Sequence, residues 1–221
     1  MNARSLALVV AGVAAGVVAY AMLPQQSRPP AANEQGTANN PAMQLITRDA
    51  LFAIPLASTK HKPTAEPRLE RAVFGAGCFW CVEDTFRRTP GVVATAVGYS
   101  GGHKHNPTYK EVCYTNTEHA EVVLVEYDAN IIDYSGILDV FFQGHDPTQV
   151  DRQGPDIGRQ YRSVIFTVDE TQMAQADASK ERWNKSGKYS KPIATVIQPA
   201  PTFYLAEDYH QQYYEKKGWG G

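Results

Sequence analysis

Three cysteines, Cys78, Cys81 and Cys113, are too few to staple a chain of 221 residues, and an odd number leaves a thiol outside any internal bridge. A disulfide-rich scaffold is thereby excluded, and the cysteines point to chemistry or burial instead. Charge of one sign is also lacking. The chain has 21 Lys and Arg against 23 Asp and Glu, a formal net charge of -2, and no block of like charge. That removes the basic stripe a nucleic-acid surface needs and the charged run of an interaction tail. No internal repeat, heptad pattern, nucleotide loop or flavin or nicotinamide fingerprint is present. Neither a second Cys-x-x-Cys nor a close pair of histidines joins Cys78-x-x-Cys81, so no metal is expected. What remains, 43% hydrophobic and 20% charged, is the composition of a globular protein with a buried core.

One long apolar run stands apart. Leu6 to Leu23 carries no charge, follows Met-Asn-Ala-Arg and includes the small-x-small triplet Ala19-Tyr20-Ala21. These are the parts of a secretory signal, yet the run is also long enough to span a bilayer if it is retained. Residues 1–23 therefore read as a signal peptide or membrane anchor, and the rest is expected to be exported, periplasmic or anchored facing outward. No cysteine follows the run, so a lipid-anchored lipoprotein is not supported. Residues 24–68, rich in Pro, Ala, Gln, Asn and Thr, have the composition of a flexible linker. A more apolar patch, Leu45-Ile46 with Leu51 to Ile54, could dock on the domain that follows, residues 69–221.

Within that domain, Ala72-Val73-Phe74 is a short strand ending in Gly75-Ala76-Gly77. Cys78 to Arg88 has helical features, with Val82 and Phe86 four apart, and Pro90-Gly91 stops it. Val92–Tyr99, Ala120–Tyr127, Arg162–Val168 and Thr195–Gln198 read as strands. Tyr134–Gln143 and Asp169–Gly187 read as helices, the second with Asp169 or Thr171 near its cap. Leu205–Lys217 reads as a polar, tyrosine-rich terminal helix, and Cys113 falls in an expected strand after Glu111-Val112. The pattern implies an α+β fold, a two-layer sandwich of a central mixed β-sheet with flanking helices.

A cysteine that follows a glycine turn and opens a helix is well placed to react, because first-turn N–H groups and the helix dipole favour the thiolate. Cys78 occupies such a strand–helix junction, and Cys81 lies three residues on, near the same face. By themselves these residues admit a thioredoxin-like dithiol, or two small cysteines filling a core.

The surrounding segments are more specific. Gly-Cys-Phe-Trp at 77–80 with Val82-Glu83 is followed in order by Gly98-Tyr99-Ser100-Gly101-Gly102, Asn106-Pro107-Thr108-Tyr109 and His119-Ala120-Glu121. His145-Asp146-Pro147, Asp156 to Ser163, and Ala206 to Tyr213 complete the set. Across Val73 to Tyr213 the chain resembles the A-type methionine sulfoxide reductases. The resemblance implies reduction of the S epimer of methionine sulfoxide in proteins and peptides, a repair reaction. It makes Cys78 the nucleophile, and Phe79 and Trp80 the apolar wall for the substrate's S-methyl group. Glu121 becomes the acid at the sulfoxide oxygen, Tyr109 and Tyr161 hydrogen-bond donors to it, and Asp156 an ordering acid.

The chemistry agrees. A thiolate attacking the sulfoxide sulfur puts charge on oxygen, and a neutral carboxylic acid with phenol hydroxyls supplies the proton and hydrogen bonds. Glu121 then needs a pKa raised by burial, and the products are methionine and a sulfenic acid on Cys78. His145 and His119 are expected to be structural, and Cys113 buried filler.

Many family members regenerate the nucleophile with a cysteine near the C-terminus. Here Lys216 to Gly221 holds none, and Cys81 often corresponds to glycine in the family. Cys81 is therefore expected as the resolving thiol, with Cys113 or an outside thiol as alternatives. Thiol chemistry needs no bound cofactor, only an external reductant: a thioredoxin-like protein in the cell, dithiothreitol in the test tube. Expected partners are oxidised proteins and that reductant, with no nucleic acid, and with membrane contact only through the N-terminal segment; a monomer is expected. The competing functions are a thioredoxin-like disulfide oxidoreductase and a non-catalytic sulfoxide-binding module.

Overall fold

A computed structural model describes residues 44–219. The apolar run at 6–23 and the first part of the expected linker lie outside the described residues. In chain order the elements are α1 (Arg48–Phe52), β1 (Ala57–Ser58), β2 (Leu69–Ala76), α2 (Phe79–Arg87), β3 (Val92–Ser100) and α3 (Tyr109–Tyr114). They continue with β4 (Ala120–Asp128), α4 (Tyr134–Gly144), the hairpin strands β5 (Arg152–Gln153) and β6 (Asp156–Ile157), and a 3-10 turn at Arg159–Tyr161. The last are β7 (Ser163–Thr167), α5 (Glu170–Lys185), β8 (Val196–Pro199), β9 (Tyr204–Leu205) and α6 (Tyr213–Lys216).

The main sheet runs β1-β3-β4-β2-β7-β8, with β9 also paired to β3. It is mixed: β7 and β8 are parallel, and the other pairs are antiparallel. Successive side chains of a strand face opposite ways, and both faces are buried. Phe74, Val123, Val125 and Tyr127 point to the side covered by α2, α4 and α5, where they meet Phe86, Leu138 and Phe142. Val73, Val122, Leu124 and Phe166 form a second apolar layer on the opposite side. The fold is the α+β arrangement of central mixed sheet and flanking helices read from the sequence.

The second layer is closed by part of the expected linker. Leu51 of α1 is fully buried in it, with Ile46, Ile54 and Leu56 packed alongside. Arg71, 7% exposed, pairs across the sheet with Glu126 at 2.7 Å and donates to the carbonyls of Leu51 and Ile54. Thr64 and Arg68 are tied by their backbone N–H groups to the Asp128 carboxylate. Residues 44–68 are thus packed on the domain and are not a free linker. The apolar patch read as able to dock does so through Ile46, Leu51 and Ile54, and backbone carbonyls of the same segment satisfy a buried guanidinium.

Two other expectations are corrected. Only Tyr213–Lys216 of the proposed Leu205–Lys217 helix is helical. Leu205 belongs to a strand, and residues between them bond outward: the Gln211 side chain takes the N–H of Val97 and gives to its carbonyl. Cys113 lies in helix α3 and not in a strand; that helix is started by a reciprocal capping box between Thr108 and Glu111. Among the described residues no helix is long and apolar enough to cross a membrane.

Leu51→Ala should lower the unfolding free energy by about 2–4 kcal/mol, the usual cost of emptying a fully buried leucine site. Urea unfolding checks it, and an unchanged midpoint would mean that the N-terminal segment adds nothing to the core.

Candidate active site

Strand β2 ends at the turn that presents the cysteine. Gly77 has φ +99°, and a β-carbon there would meet the Gln153 side chain at 2.7 Å. Glycine is thus required both for backbone conformation and for space. Cys78 is the N-cap of α2, with non-helical backbone angles, and its carbonyl accepts from Cys81 and Val82. The next N–H, of Phe79, donates to Glu121 Oε2 at 3.0 Å. A carboxyl from β4 therefore occupies the end of the cysteine helix.

Glu121 reaches that point because positions 121, 123, 125 and 127 share the helix-bearing face of β4. It is 2% exposed. Burial, aided by the nearby charges of Asp156 and Cys81 and opposed by the Phe79 N–H, pushes its pKa up to about 8. The carboxyl is therefore largely protonated at neutral pH, as the sequence argument required.

The two sulfurs behave as a pair. Cys78 is half-buried and Cys81 exposed. The Cys78 thiol is pushed well above the ordinary range, first by its hydrogen bond to Cys81, then by burial and the charge of Glu121, while the Trp80 N–H pulls the other way. Cys81 is lowered to about 6, chiefly by the hydrogen bond from Cys78 and further by the Tyr214 hydroxyl, against burial and the charges of Asp156 and Asp84. The first negative charge thus rests on Cys81, where the helix-end argument placed it on Cys78. The reason is local: Cys81 is open to solvent and accepts two hydrogen bonds, whereas Cys78 faces a buried acid. One proton shared between hydrogen-bonded sulfurs keeps the Cys78 thiolate within reach.

The remaining residues surround this centre. Phe79 is buried, with Tyr99 and Tyr109 rings at 5.8 and 6.5 Å. Trp80 is half-buried, stacks on Tyr213 at 3.9 Å and 9°, and donates from Nε1 to His210 Nδ1 at 3.0 Å. Burial raises the pKa of both Tyr109 and Tyr161, so their hydroxyls remain donors. Tyr161, in the 3-10 turn, feels the charges of Glu121, Cys113, Asp156 and Cys78. Asp156 stands in β6 beside both sulfurs, on a groove of about 330 Å³ that also includes Val82, Phe86, Phe141 and His145. All eight residues singled out from the sequence converge on this one region.

Three contributors were missed. Glu207 accepts from the Tyr99 hydroxyl at 2.9 Å and from the Tyr109 N–H at 3.0 Å, fixing the start of α3. His210, 1% exposed, anchors Trp80; its Nδ1 must be unprotonated to accept, and Nε2 has no partner among the described residues. Tyr214 lies 3.2 Å from the Cys81 sulfur. Glu207 and His210 sit in the segment quoted for the resemblance, but no spacing rule linked them to Tyr109 or Trp80.

The histidines given structural roles have them. His145 caps α4, bonding Phe141 O and Ser163 Oγ at 2.8 Å each, and burial lowers its pKa to about 4. His119 ties Gly102 N to Lys104 O across the 100–107 loop. Cys113 is half-buried and hydrogen-bonded with Tyr109, closer to the site than filler implies. Among the described residues no group of three or more His, Cys, Asp and Glu could hold a metal ion.

Comparison with known proteins agrees with this geometry. The family model described as peptide methionine sulfoxide reductase matches residues 70–220. A peptide methionine sulfoxide reductase MsrA of Methanoculleus marisnigri is 60% identical over 155 residues, 70% of this chain and 94% of that one. One from Geobacter sulfurreducens is 57% identical over 152 residues, 69% of this chain and 94% of that one. Among solved structures, methionine sulfoxide reductase A of Corynebacterium diphtheriae superposes with TM-score 0.66 at 37% identity, covering 75% of this chain and 84% of that one. Reduced Mxr1 of Saccharomyces cerevisiae gives 0.65 at 35%, covering 76% and 95%. The chain belongs to the peptide methionine sulfoxide reductase family, as an A-type enzyme that reduces the S epimer of methionine sulfoxide by thiol chemistry.

Proposed function

We propose that Cys78 is the nucleophile and Glu121 the acid, and that Cys81 resolves the intermediate. The observation that carries this reading is the buried Glu121 carboxyl, held at the N-terminus of the cysteine helix by the Phe79 N–H. That bond occupies one oxygen and leaves the other to give a proton. The sulfoxide oxygen would sit between it and the hydroxyls of Tyr109 and Tyr161, with the S-methyl group against Trp80 and Phe79. Asp156, close enough to raise the Glu121 pKa, helps keep that acid protonated.

In the first step the shared proton rests on Cys81 and the Cys78 thiolate attacks the sulfoxide sulfur. Glu121 gives its proton to the oxygen, the bond from that oxygen to the substrate sulfur breaks as one to the Cys78 sulfur forms, and methionine leaves with Cys78 as a sulfenic acid. In the second, the Cys81 sulfur attacks Cys78. An S–S bond forms, the S–O bond breaks, and the hydroxyl leaves with the Cys81 proton as water. An external dithiol then reduces the disulfide. Cys78 is the N-cap and Cys81 lies in the first turn of α2, which keeps the two sulfurs within the short reach a disulfide demands.

Purified protein with dithiothreitol should reduce the S epimer of a methionine sulfoxide peptide and not the R epimer, and Cys78→Ser should abolish the reaction. The rate should rise through about pH 6 as the sulfur pair loses its first proton. It should fall through about pH 8 as Glu121 loses its own. Glu121→Gln should cost about a hundredfold or more and remove the descending limb. A Gln variant that keeps that limb would assign it to another group.

In Cys81→Ser, one turnover without reductant should leave a sulfenic acid on Cys78 that a dimedone probe captures, whereas the unaltered protein should show a Cys78–Cys81 bridge by mass spectrometry. A Cys78–Cys113 bridge would sink the assignment.

The apolar run at 6–23 supports export, and with it a supply of electrons from a thioredoxin-like protein outside the cytoplasm, where no glutathione pool buffers thiols. The substrates there are oxidised exported proteins. Fractionation of cells that produce the full chain should recover it from periplasm or membrane, and recovery from the cytoplasm alone would refute this location.

A further inference from the structure

Tyr214 has no part in the reading above, yet the fold takes pains to hold it. Its hydroxyl is 3.2 Å from Cys81 Sγ. Two side chains of α2 clamp the segment that carries it. Glu83, 1% exposed, accepts from the backbone N–H of Gln212 at 2.8 Å, and Arg87, 8% exposed, pairs with Glu215. Gln212 itself turns the chain in the left-handed region, φ +49°. Next door, Tyr213 lies flat on Trp80. The Trp219 ring sits 5.9 Å from that of Tyr214, and the Trp219 backbone N–H donates to the Tyr214 carbonyl at 2.9 Å. The hydroxyl is thus fixed from both sides, on a sulfur that is otherwise exposed.

We propose that Tyr214 is a positioning residue for the second step, its hydroxyl holding the Cys81 sulfur as a thiolate aimed at the sulfenic acid on Cys78. This rests on Cys81 being the resolving thiol. In the resting pair Cys81 has two donors, the Cys78 thiol and Tyr214. Once Cys78 carries oxygen its S–H is gone. The charged groups around Cys81 are then adverse: Asp84 on the same helix, Asp156 from β6, and Glu121, left as a carboxylate after giving its proton. The Tyr214 hydroxyl, with its own pKa raised by the bond to Cys81, by burial and by the charges of the two cysteines and Asp84, stays protonated and keeps donating. It is the stabiliser that outlasts the first step. Atoms balance as before: the proton that Cys81 gives up on becoming the thiolate joins the departing hydroxyl as water, the S–S bond forms as the Cys78 S–O bond breaks, and no further oxidant or reductant is needed.

The test uses the full chain, mixed rapidly with an S-sulfoxide peptide without reductant. Methionine released and thiols remaining are followed in the unaltered protein, Tyr214→Phe and Cys81→Ser. In Tyr214→Phe the rate of disulfide formation relative to methionine release should fall about tenfold, the scale of one hydrogen bond to a charged group. The pH midpoint for alkylation of Cys81 by iodoacetamide should move up toward that of an ordinary thiol. A merely structural role for Tyr214 would not move that midpoint.

An unchanged rate ratio and midpoint in Tyr214→Phe, with Cys81→Ser accumulating sulfenic acid, would overturn the role of Tyr214 alone. If Cys81→Ser instead loses its second thiol as fast as the unaltered protein, the resolving role of Cys81 fails and this inference fails with it.

Discussion

The bond from the Phe79 N–H to the Glu121 carboxyl joins the two halves of the site. A helix leaves its first N–H groups without intrahelical partners, and here one of them is satisfied by an acid from the adjacent strand. The acid needs that donor because it is buried, and the helix needs the acceptor because its end faces the core. A lone N–H is too weak to keep the carboxyl ionised against burial, which leaves the group neutral near pH 7. Cys78 is one residue before that N–H, so the contact that caps the helix also sets the distance between the Cys78 sulfur and the Glu121 carboxyl. The aromatic layer of Phe79, Tyr99 and Tyr109 and the glycine turn at Gly77 serve to hold this arrangement in register.

The position of the negative charge follows from solvent access. A thiol beside a buried acid gains little from ionising, even at a helix end. A thiol on the outer side of the first turn, with two donors, gains much more. The pair can still deliver a thiolate at Cys78, because moving one proton across an S–H···S bond does not change the net charge of the site. What governs reactivity is the charge of the whole cluster and not the intrinsic pKa of one cysteine.

Much of this was legible in the sequence. The strands at 92–100, 120–128 and 163–167 and the helix at 134–144 follow their apolar residues, and the polar helix at 170–185 is marked by Asp169, which caps it by accepting from Gln172. Periodicity failed where side chains bind distant backbone. Residues 206–212 have helical composition, but Glu207, His210 and Gln211 satisfy partners on α3, α2 and β3, and those bonds outweigh local preference. The helix around Cys113 had a visible signal, Thr108 three residues before Glu111, that the short run Glu111-Val112 obscured. In the N-terminal segment the apolar patch at Leu51 to Ile54 was visible, whereas the two carbonyls that bind Arg71 were not, since backbone acceptors leave no mark on composition. Residues paired across more than a hundred positions, such as Trp80 with His210 and Cys81 with Tyr214, leave no mark on local spacing.

The site also resolves a conflict between its two tasks. Protonating a sulfoxide oxygen near neutral pH calls for a buried acid, and so for a nucleophile that is itself partly enclosed. Regeneration by another protein calls for a sulfur that protein can touch. No single thiol meets both conditions. Placing Cys78 before the first turn and Cys81 within it puts one sulfur on each side of the boundary, three residues apart, at no cost in backbone rearrangement. On the roles proposed for them, oxidation passes from the enclosed sulfur to the exposed one within a single turn of chain. The side-chain movement such a transfer needs falls on Cys78, the N-cap, whose own backbone angles are not helical.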